Sequence, residues 1–491
     1  MAISPLDLTL LLVYIAATVA FGLWMGRGQK NATDYLLGGR DLPWWLLLLS
    51  IVATETSTAT FLSVPGIAYG GAFGSGDLRY LQLPIGYLVG RAVAATVLLP
   101  LYFKGELFTA YDVLRHRSGP AVRTLASGLF LVTRTLADGL RLYLTALVLQ
   151  VMFGWSLSTA VLGVGAATVV YTVVGGIKAV VWTDAIQFCV YMLGAAGALF
   201  VLGGQLDGGL AGMLERAQDA DRLRVFDFAF DPSSTYTFWA GLIGGAVLSV
   251  GSHGVDQLIV QRYLSARSLR DAQKALLWSG PVVLVQFAFF LVLGLGLAAF
   301  YAAHPPAVAF EKGDRVFAHF IVHHLPEGMI GIVLGAVFSA AMSTLSSSLS
   351  ASASALVNDF LLPITGHRRD EPFALRAARW ATVLFAALQV AVGVSGLGGA
   401  DAVVNQVLGI ATITTGVILG LFVLALLPRR SSRSSLAGLL AGLGATAFVV
   451  FALPALEWPL AWPWFGIVSC GSTVLVGWAA SRLWPTAAEA A

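Results

Sequence analysis

Apolar runs of eighteen or more residues recur about a dozen times along this chain, and no other feature of it constrains the fold so tightly. About 20 helical residues cross the hydrocarbon layer of a bilayer, where every backbone N–H and C=O must find its partner within the protein. Only 11% of the 491 residues are charged, against roughly 25% in soluble domains. The expectation is an all-α membrane protein with about thirteen spans. They fall near residues 5–26, 43–70, 80–102, 122–153, 156–174, 178–204, 236–262, 274–301, 327–361, 374–396, 401–427, 434–453 and 460–482. The chain opens into a full-length apolar helix with no basic segment before it, which reads as a membrane helix rather than a cleavable signal.

The basic residues orient the spans. Arg27, Lys30 and Arg40 follow the first; Lys104, Arg115, Arg117 and Arg123 the third; Lys178 the fifth; Arg262, Arg267, Arg270 and Lys274 the seventh; Arg368, Arg369, Arg376 and Arg379 the ninth; Arg429, Arg430 and Arg433 the eleventh. Every second loop is therefore short and basic. Such loops stay in the cytoplasm, which places the N-terminus outside, the C-terminus inside and the protein in the cell (inner) membrane. The net charge of +3 is not gathered into a nucleic-acid patch, and Cys189 and Cys470 both lie in apolar segments, so neither a disulfide framework nor a zinc site is indicated. The longer loops on the other face, 205–235 and 302–326, read equally as lids or as passive connectors.

Polar residues at membrane depth mark function by default. The second span carries Ser50, Thr54, Glu55, Thr56, Ser57, Thr58, Thr60 and Ser63 before Pro65-Gly66. Pro65 removes a backbone donor and disturbs the preceding turn. Unwound backbone at this depth belongs in a cavity or inside protein. A Ser/Thr packing face accounts for the hydroxyls but not for Glu55. In the ninth span Ser343, Ser346 and Ser347 share one helical face, which suits either small-residue packing or a hard cation such as Na⁺. Asp184 opens the sixth span as a helix-terminal charge or a cation's counter-ion. On the fourth span Arg134, Asp138 and Arg141 form a ladder with one positive charge left over. The seventh span breaks near Ser249–Asp256. Two interrupted spans, five apart, suit inverted-repeat transporters. No G-x-x-x-x-G-K-[ST], GxSxG or HExxH motif is present, so nucleotide-driven and common hydrolytic chemistries lack their residues.

With these residues in hand, the chain resembles the sodium:solute symporter family over nearly its whole length. The resemblance is carried by Ala53-Thr54-Glu55-Thr56-Ser57…Phe61…Pro65-Gly66, Trp182-Thr183-Asp184…Gln187, Asp256-Gln257…Val260-Gln261-Arg262-Tyr263 and Ala340…Ser343-Thr344…Ser346-Ser347. It implies a LeuT-type core of two inverted five-helix repeats, with one leading and two trailing helices. The division expected is 1–42 (leading helix and cytoplasmic loop), 43–204 (first repeat), 205–235 (extracytoplasmic loop), 236–428 (second repeat) and 429–491 (two trailing helices). It further implies a Na⁺ site made by the carbonyls of Ala53, Thr56 and Ala340 and the hydroxyls of Ser343 and Thr344. In its ion-site motifs the chain is most similar to the sialic acid branch, whose second Na⁺ site maps onto Asp184, Ser343, Ser346 and Ser347.

One Na⁺ gains about 2.3 kcal/mol per 100 mV, and a tenfold gradient adds roughly 1.4 kcal/mol. Two ions supply about 7 kcal/mol, enough for roughly 10⁵-fold accumulation of a neutral solute, whereas one supports a few hundredfold. For the solute, the resemblance points to Ser57, Thr60 and Gln82. The branch's solute-binding arginine falls at Ala137, with Arg134 and Arg141 offset from it, and a hydroxyl position becomes Glu55. Glu55, Asp138 and Arg141 complete the candidate solute residues. The exchange of charge at Glu55 favours a sugar-like, polyol or amine-bearing solute. The expected function is Na⁺-coupled symport of a small polar solute into the cell by alternating access, without enzymatic activity; the competing readings are a solute-sensing domain of the same fold and, further behind, an intramembrane enzyme using Glu55, Asp138 and His253.

Overall fold

A computed structural model describes residues 4–105, 107–369, 371–395, 403–428 and 431–484. Among these the chain is helical throughout its ordered elements, with an isolated bridge between Leu42 and Ala266 in place of any sheet. The principal helices are α1 (Pro5–Met25), α2 (Trp44–Glu55), α3 (Thr58–Tyr69), α4 (Gln82–Val93), α5 (Pro120–Phe153), α6 (Leu157–Gly204), α7 (Gly209–Asp219), α8 (Gly245–Gly254), α9 (Gln257–Leu264), α10 (Leu269–Ala303), α11 (Asp314–His324), α12 (Met329–Ala355), α13 (Pro372–Val394), α14 (Val403–Leu426), α15 (Ser432–Ala447) and α16 (Phe465–Leu483).

Among the described residues, eight helical segments are long and apolar enough to cross a membrane, and two bent pairs, α2/α3 and α8/α9, raise the number to ten. This is a multi-pass membrane protein. Each of the thirteen expected spans overlaps a helix, but apolar length alone does not bring the count to thirteen. The apolar sequence of α5 is interrupted by Arg134, Asp138 and Arg141, although the helix itself is continuous. Two expected spans run together as α6, whose 48 residues would extend about 72 Å if straight. The backbone leaves helical geometry at Gly176, with φ 55° and ψ −161°. Only a residue without a Cβ adopts that conformation freely, so the glycine divides the run.

Small residues set how closely the helices approach, as expected where lipid offers no hydrophobic drive between them. A Cβ at Gly86 or Gly90 of α4 would collide with the carbonyls of Gly241 and of Ala246 in α8. Asp7, buried at the start of α1, accepts hydrogen bonds from the backbone N–H groups of Gly328 (2.9 Å) and Gly331 (2.7 Å). It thereby caps α12, a helix with donors of its own to satisfy at that end. Helix α12 packs against α6, α1, α5 and α13, and its residues Val333–Ala355 are buried all round.

The second bend falls within the expected stretch Ser249–Asp256, whereas the first does not fall at Pro65. The first lies at Thr56-Ser57, both extended (φ −89°, ψ 94° and φ −86°, ψ 170°), with a 60° change of direction. Helix α3 runs on through Pro65, so the proline is not the break. Ser57 restarts the helix by accepting from Thr60 N–H at 3.4 Å, the role of an N-cap hydroxyl. The second bend, 54°, lies at Val255-Asp256, where Asp256 caps α9 through Leu258 N–H at 2.8 Å.

Candidate functional site

The break in α2/α3 faces α12. Val52 O still accepts from Thr56 N–H at 3.0 Å, but from Ala53 onward the carbonyls have run out of helical donors, as at any helix C-terminus. A narrow crevice beside the break is lined by Ser57, Thr58, Asp138, Arg141, Ala340 and Thr344. The Thr56 hydroxyl is engaged elsewhere, donating to Val52 O (2.9 Å) and accepting from Gln286 (2.6 Å). Carbonyl and hydroxyl oxygens suit a hard alkali cation. Of the first expected Na⁺ ligands, Ala340 and Thr344 line this crevice, with the Thr344 hydroxyl donating to the Ala340 carbonyl at 3.2 Å.

The second set is assembled, but it already serves a cation. Asp184 is wholly buried. Its Oδ1 accepts from Ser343 at 2.7 Å, and its Oδ2 from Ser50 at 2.5 Å and from the Arg262 guanidinium at 2.9 Å. Arg262 also donates to Thr54 (2.6 Å) and Ser347, while Ser346 donates to the backbone carbonyl of Ser343 at 3.1 Å. Of the four residues expected to hold a second Na⁺, Asp184, Ser343 and Ser347 meet, and an arginine from α9 stands among their oxygens.

On the other side of the break lies a cavity of about 570 Å³, lined by Glu55, Ser57, Thr60, Arg134, Arg141, His253 and Asp256 among others, and reaching Phe73, Lys312 and Asp314 at its mouth. Here two expectations need correction. The Glu55 carboxylate is not waiting for an amine: it is paired with Arg91 of α4, with His253 Nε2 3.4 Å away. His253 Nε2 also stands 3.0 Å from Arg91 Nη2, and its Nδ1 lies 2.9 Å from the Ser252 hydroxyl. Gln82 is likewise occupied, donating to the carbonyls of Arg79 and Tyr236 (both 3.0 Å) and accepting from Asp227 N–H (3.0 Å). It ties the outer loops to α4 and has no amide group left for a solute.

The α5 ladder forms as expected. Arg134 reaches Asp138 (2.6 Å) and Arg141 donates to the same carboxylate. The surplus positive charge is met by Asp256 of α9, 3.6 Å from Arg134. Arg141 gives Asp138 a single nitrogen, keeps 21% of its side chain exposed, and lines both the cavity and the crevice. Arg91, Arg262, His253 and Asp256 were therefore missed as site residues. A signal for the first existed: Arg91 is the sole charged residue between Arg79 and Lys104, and Glu55 the sole one in residues 43–70. Isolated intramembrane charges of opposite sign seek each other.

Comparison with known proteins follows this geometry. The chain is 31% identical over 444 residues to the human sodium/iodide cotransporter, covering 89% of this chain and 68% of that protein. It is 29% identical over 449 residues to the Bos taurus sodium-coupled monocarboxylate transporter 2, covering 88% and 71% respectively. Its fold is that of a solved Na⁺-coupled sialic acid symporter in a substrate-bound outward-open state, with TM-score 0.87, 24% identity and coverage of 98% of this chain and 99% of that one. The description "SSF: Sodium:solute symporter family" matches residues 35–442, and the chain belongs to that family of Na⁺-coupled transporters.

Proposed function

We propose that this protein is a Na⁺-coupled symporter for a small organic anion, working by alternating access with one Na⁺ held at the α2/α3 break. The charge balance of the site carries the reading. Among the described residues, four carboxylates (Glu55, Asp138, Asp184, Asp256) and four guanidiniums (Arg91, Arg134, Arg141, Arg262) are joined by ion pairs around the break, while Glu311, paired with Arg315, and Lys312 and Asp314 line the cavity in addition. Their sum is zero. Na⁺ ligated by the carbonyls of Ala53, Thr56 and Ala340 and the hydroxyls of Ser343 and Thr344 makes the site positive, and a monoanion restores neutrality.

A cationic amine would double the imbalance, and a neutral polyol would leave it. Opposite unit charges about 6 Å apart at an effective dielectric of about 20 attract by roughly 3 kcal/mol, so each species raises the other's affinity about a hundredfold. Arg141, with donors to spare between cavity and crevice, is the group for the anion's head; Ser57 and Thr60 hydroxyls flank it. Iodide, monocarboxylates and sialic acid, named for the relatives, are all anions. Arg262 replaces a second Na⁺ at Asp184 as a tethered counter-ion, which fits coupling by one ion and electroneutral loading. In this reading, with thirteen spans, inverted repeats at 43–204 and 236–428 and the N-terminus outside, the loop that brings Lys312 and Asp314 to the cavity lies on the outer face.

The test is uptake into proteoliposomes under an inward Na⁺ gradient, with labelled lactate, iodide and sialic acid as anion probes and glucose and choline as comparators. Uptake of at least one anion should exceed its K⁺ control at least tenfold. Na⁺-independent uptake, or a clear preference for choline or glucose, rejects the reading.

A further inference from the structure

Four histidines unconnected with the Na⁺ and solute chemistry gather where the second long outer loop meets the bundle. Tyr301, at the end of α10, hydrogen-bonds His319 Nδ1 at 2.7 Å. The His319 and His323 rings stack at 4.2 Å and His324 lies 5.7 Å from His319. Phe300 stacks on His304 at 4.8 Å and meets His324 edge-on at 4.7 Å. His319 and His324 are half-buried in this ring cluster.

The helix that bears three of them, α11, packs on the outer half of the first broken span. Phe317 lies 5.4 Å from Phe61 of α3. A Cβ at Gly66 would come within 2.6 Å of the Gly313 carbonyl oxygen. Lys312 and Asp314, at its N-terminal end, line the cavity mouth. The ring cluster thus anchors one end of a segment whose other end borders the solute's entrance.

We propose that this cluster is a proton-operated catch: neutral rings hold α11 down on α3, and acid on that face releases it. The surroundings offer protons no compensation. From α10 the cluster meets Tyr301 and His304. From α3 it meets Tyr69, through Tyr301, with Arg222 near Gly70. From the end of α6, Gln205 donates to His324 O at 3.0 Å. On the loop itself Glu311 is committed to Arg315 (3.0 Å), and Lys312 and Asp314 face the mouth. Among the described residues no carboxylate is within ion-pair distance of the four rings.

Burial first, then the neighbouring His323 and His324, push His319 down to about 4; burial, His323 and His304 lower His324 as well. Groups whose packed-state pKa lies below the free imidazole value of about 6.5 stabilise packing above that pH and lose the contribution as pH falls toward the packed value. The window is therefore about pH 6.5 down to 4, with up to tenfold per pH unit for each proton taken up. A released lid no longer closes over the loaded site, so uptake falls in external acid. That consequence rests on the proposed symport, while the catch itself does not.

Hydrogen exchange of the full-length protein in nanodiscs, compared at pH 7.5 and 5.5 after correction for intrinsic rates, tests it without any solute. Protection of residues 314–324 should drop at least tenfold at pH 5.5 in the wild type and stay level in the His319→Gln/His324→Gln double variant. His116→Gln, at an exposed histidine outside the cluster, should behave as the wild type and controls for general damage. Constant protection in the wild type, or an equal acid loss in the double variant, overturns the proposal. Uptake of whichever anion is transported should show the same loss and the same rescue. If no probe is transported, the exchange result still decides the catch.

Discussion

Two arginine–aspartate centres lie near the first of the two broken spans, and they differ in what surrounds the same two functional groups. At Asp184–Arg262 both side chains are wholly buried, and Arg262 spends its donors on a carboxylate, two serines, a threonine and the Leu258 carbonyl. At Asp138–Arg141 the carboxylate is equally buried, but the guanidinium gives it one nitrogen and turns the rest toward the cavity. The first centre has no valence left for a ligand and acts as a joint between α6, α2, α9 and α12. The second has donors to offer. Exposure and unspent donors, not charge, separate scaffold from site.

That contrast breaks most visibly if Arg262→Ala leaves the protein intact. Removing one partner of a buried pair strands the other charge, at a cost of about 3–5 kcal/mol. We expect Arg262→Ala to lower the unfolding midpoint in detergent sharply and to reduce the folded yield. An unchanged midpoint would mean that Asp184 finds a replacement cation, and a midpoint restored by added Na⁺ would reinstate the second ion site at that carboxylate.

Arg141→Gln should do the reverse. Asp138 keeps Arg134, so the midpoint moves little, but the site loses its anion donor and its balance turns negative. Monoanion uptake should fall about a hundredfold, the equivalent of roughly 2.7 kcal/mol, while Na⁺ binding by titration holds or strengthens. Loss of Na⁺ affinity in step with uptake would place Arg141 among the supports of the ion site instead of the solute's.

The sequence made this contrast only half legible. Span periodicity placed a helix under every expected crossing, positions three and four apart put Ser343 and Ser347 on one helical face, and the family resemblance set Asp184 beside them. The break at Thr56-Ser57 was obscured by Pro65, which the helix tolerates about two turns later. Gln82 looked free because its partners are backbone groups of residues 79, 227 and 236, and loop backbone has no signature in sequence. Glu55 looked like an amine's counter-ion because Arg91 lies 36 positions away on another helix. A chain without its partners displayed overstates what each charge is free to do.

Glu55 gives the subtlest of these tests, since its amide keeps an acceptor for Arg91 and changes only the charge. Glu55→Gln makes the empty site positive by one, as a bound Na⁺ does. The monoanion should then bind roughly tenfold more tightly without Na⁺, and Na⁺ roughly tenfold more weakly, as expected for charges about 10 Å apart at an effective dielectric of about 20. Solute and ion would thus be partly uncoupled in a protein that still binds both. Thermal-shift titrations with Na⁺ and with the transported anion, each with and without the other, read both affinities. If Glu55→Gln weakens the anion and spares Na⁺, the carboxylate touches the solute directly, and charge balance is not what links the two species.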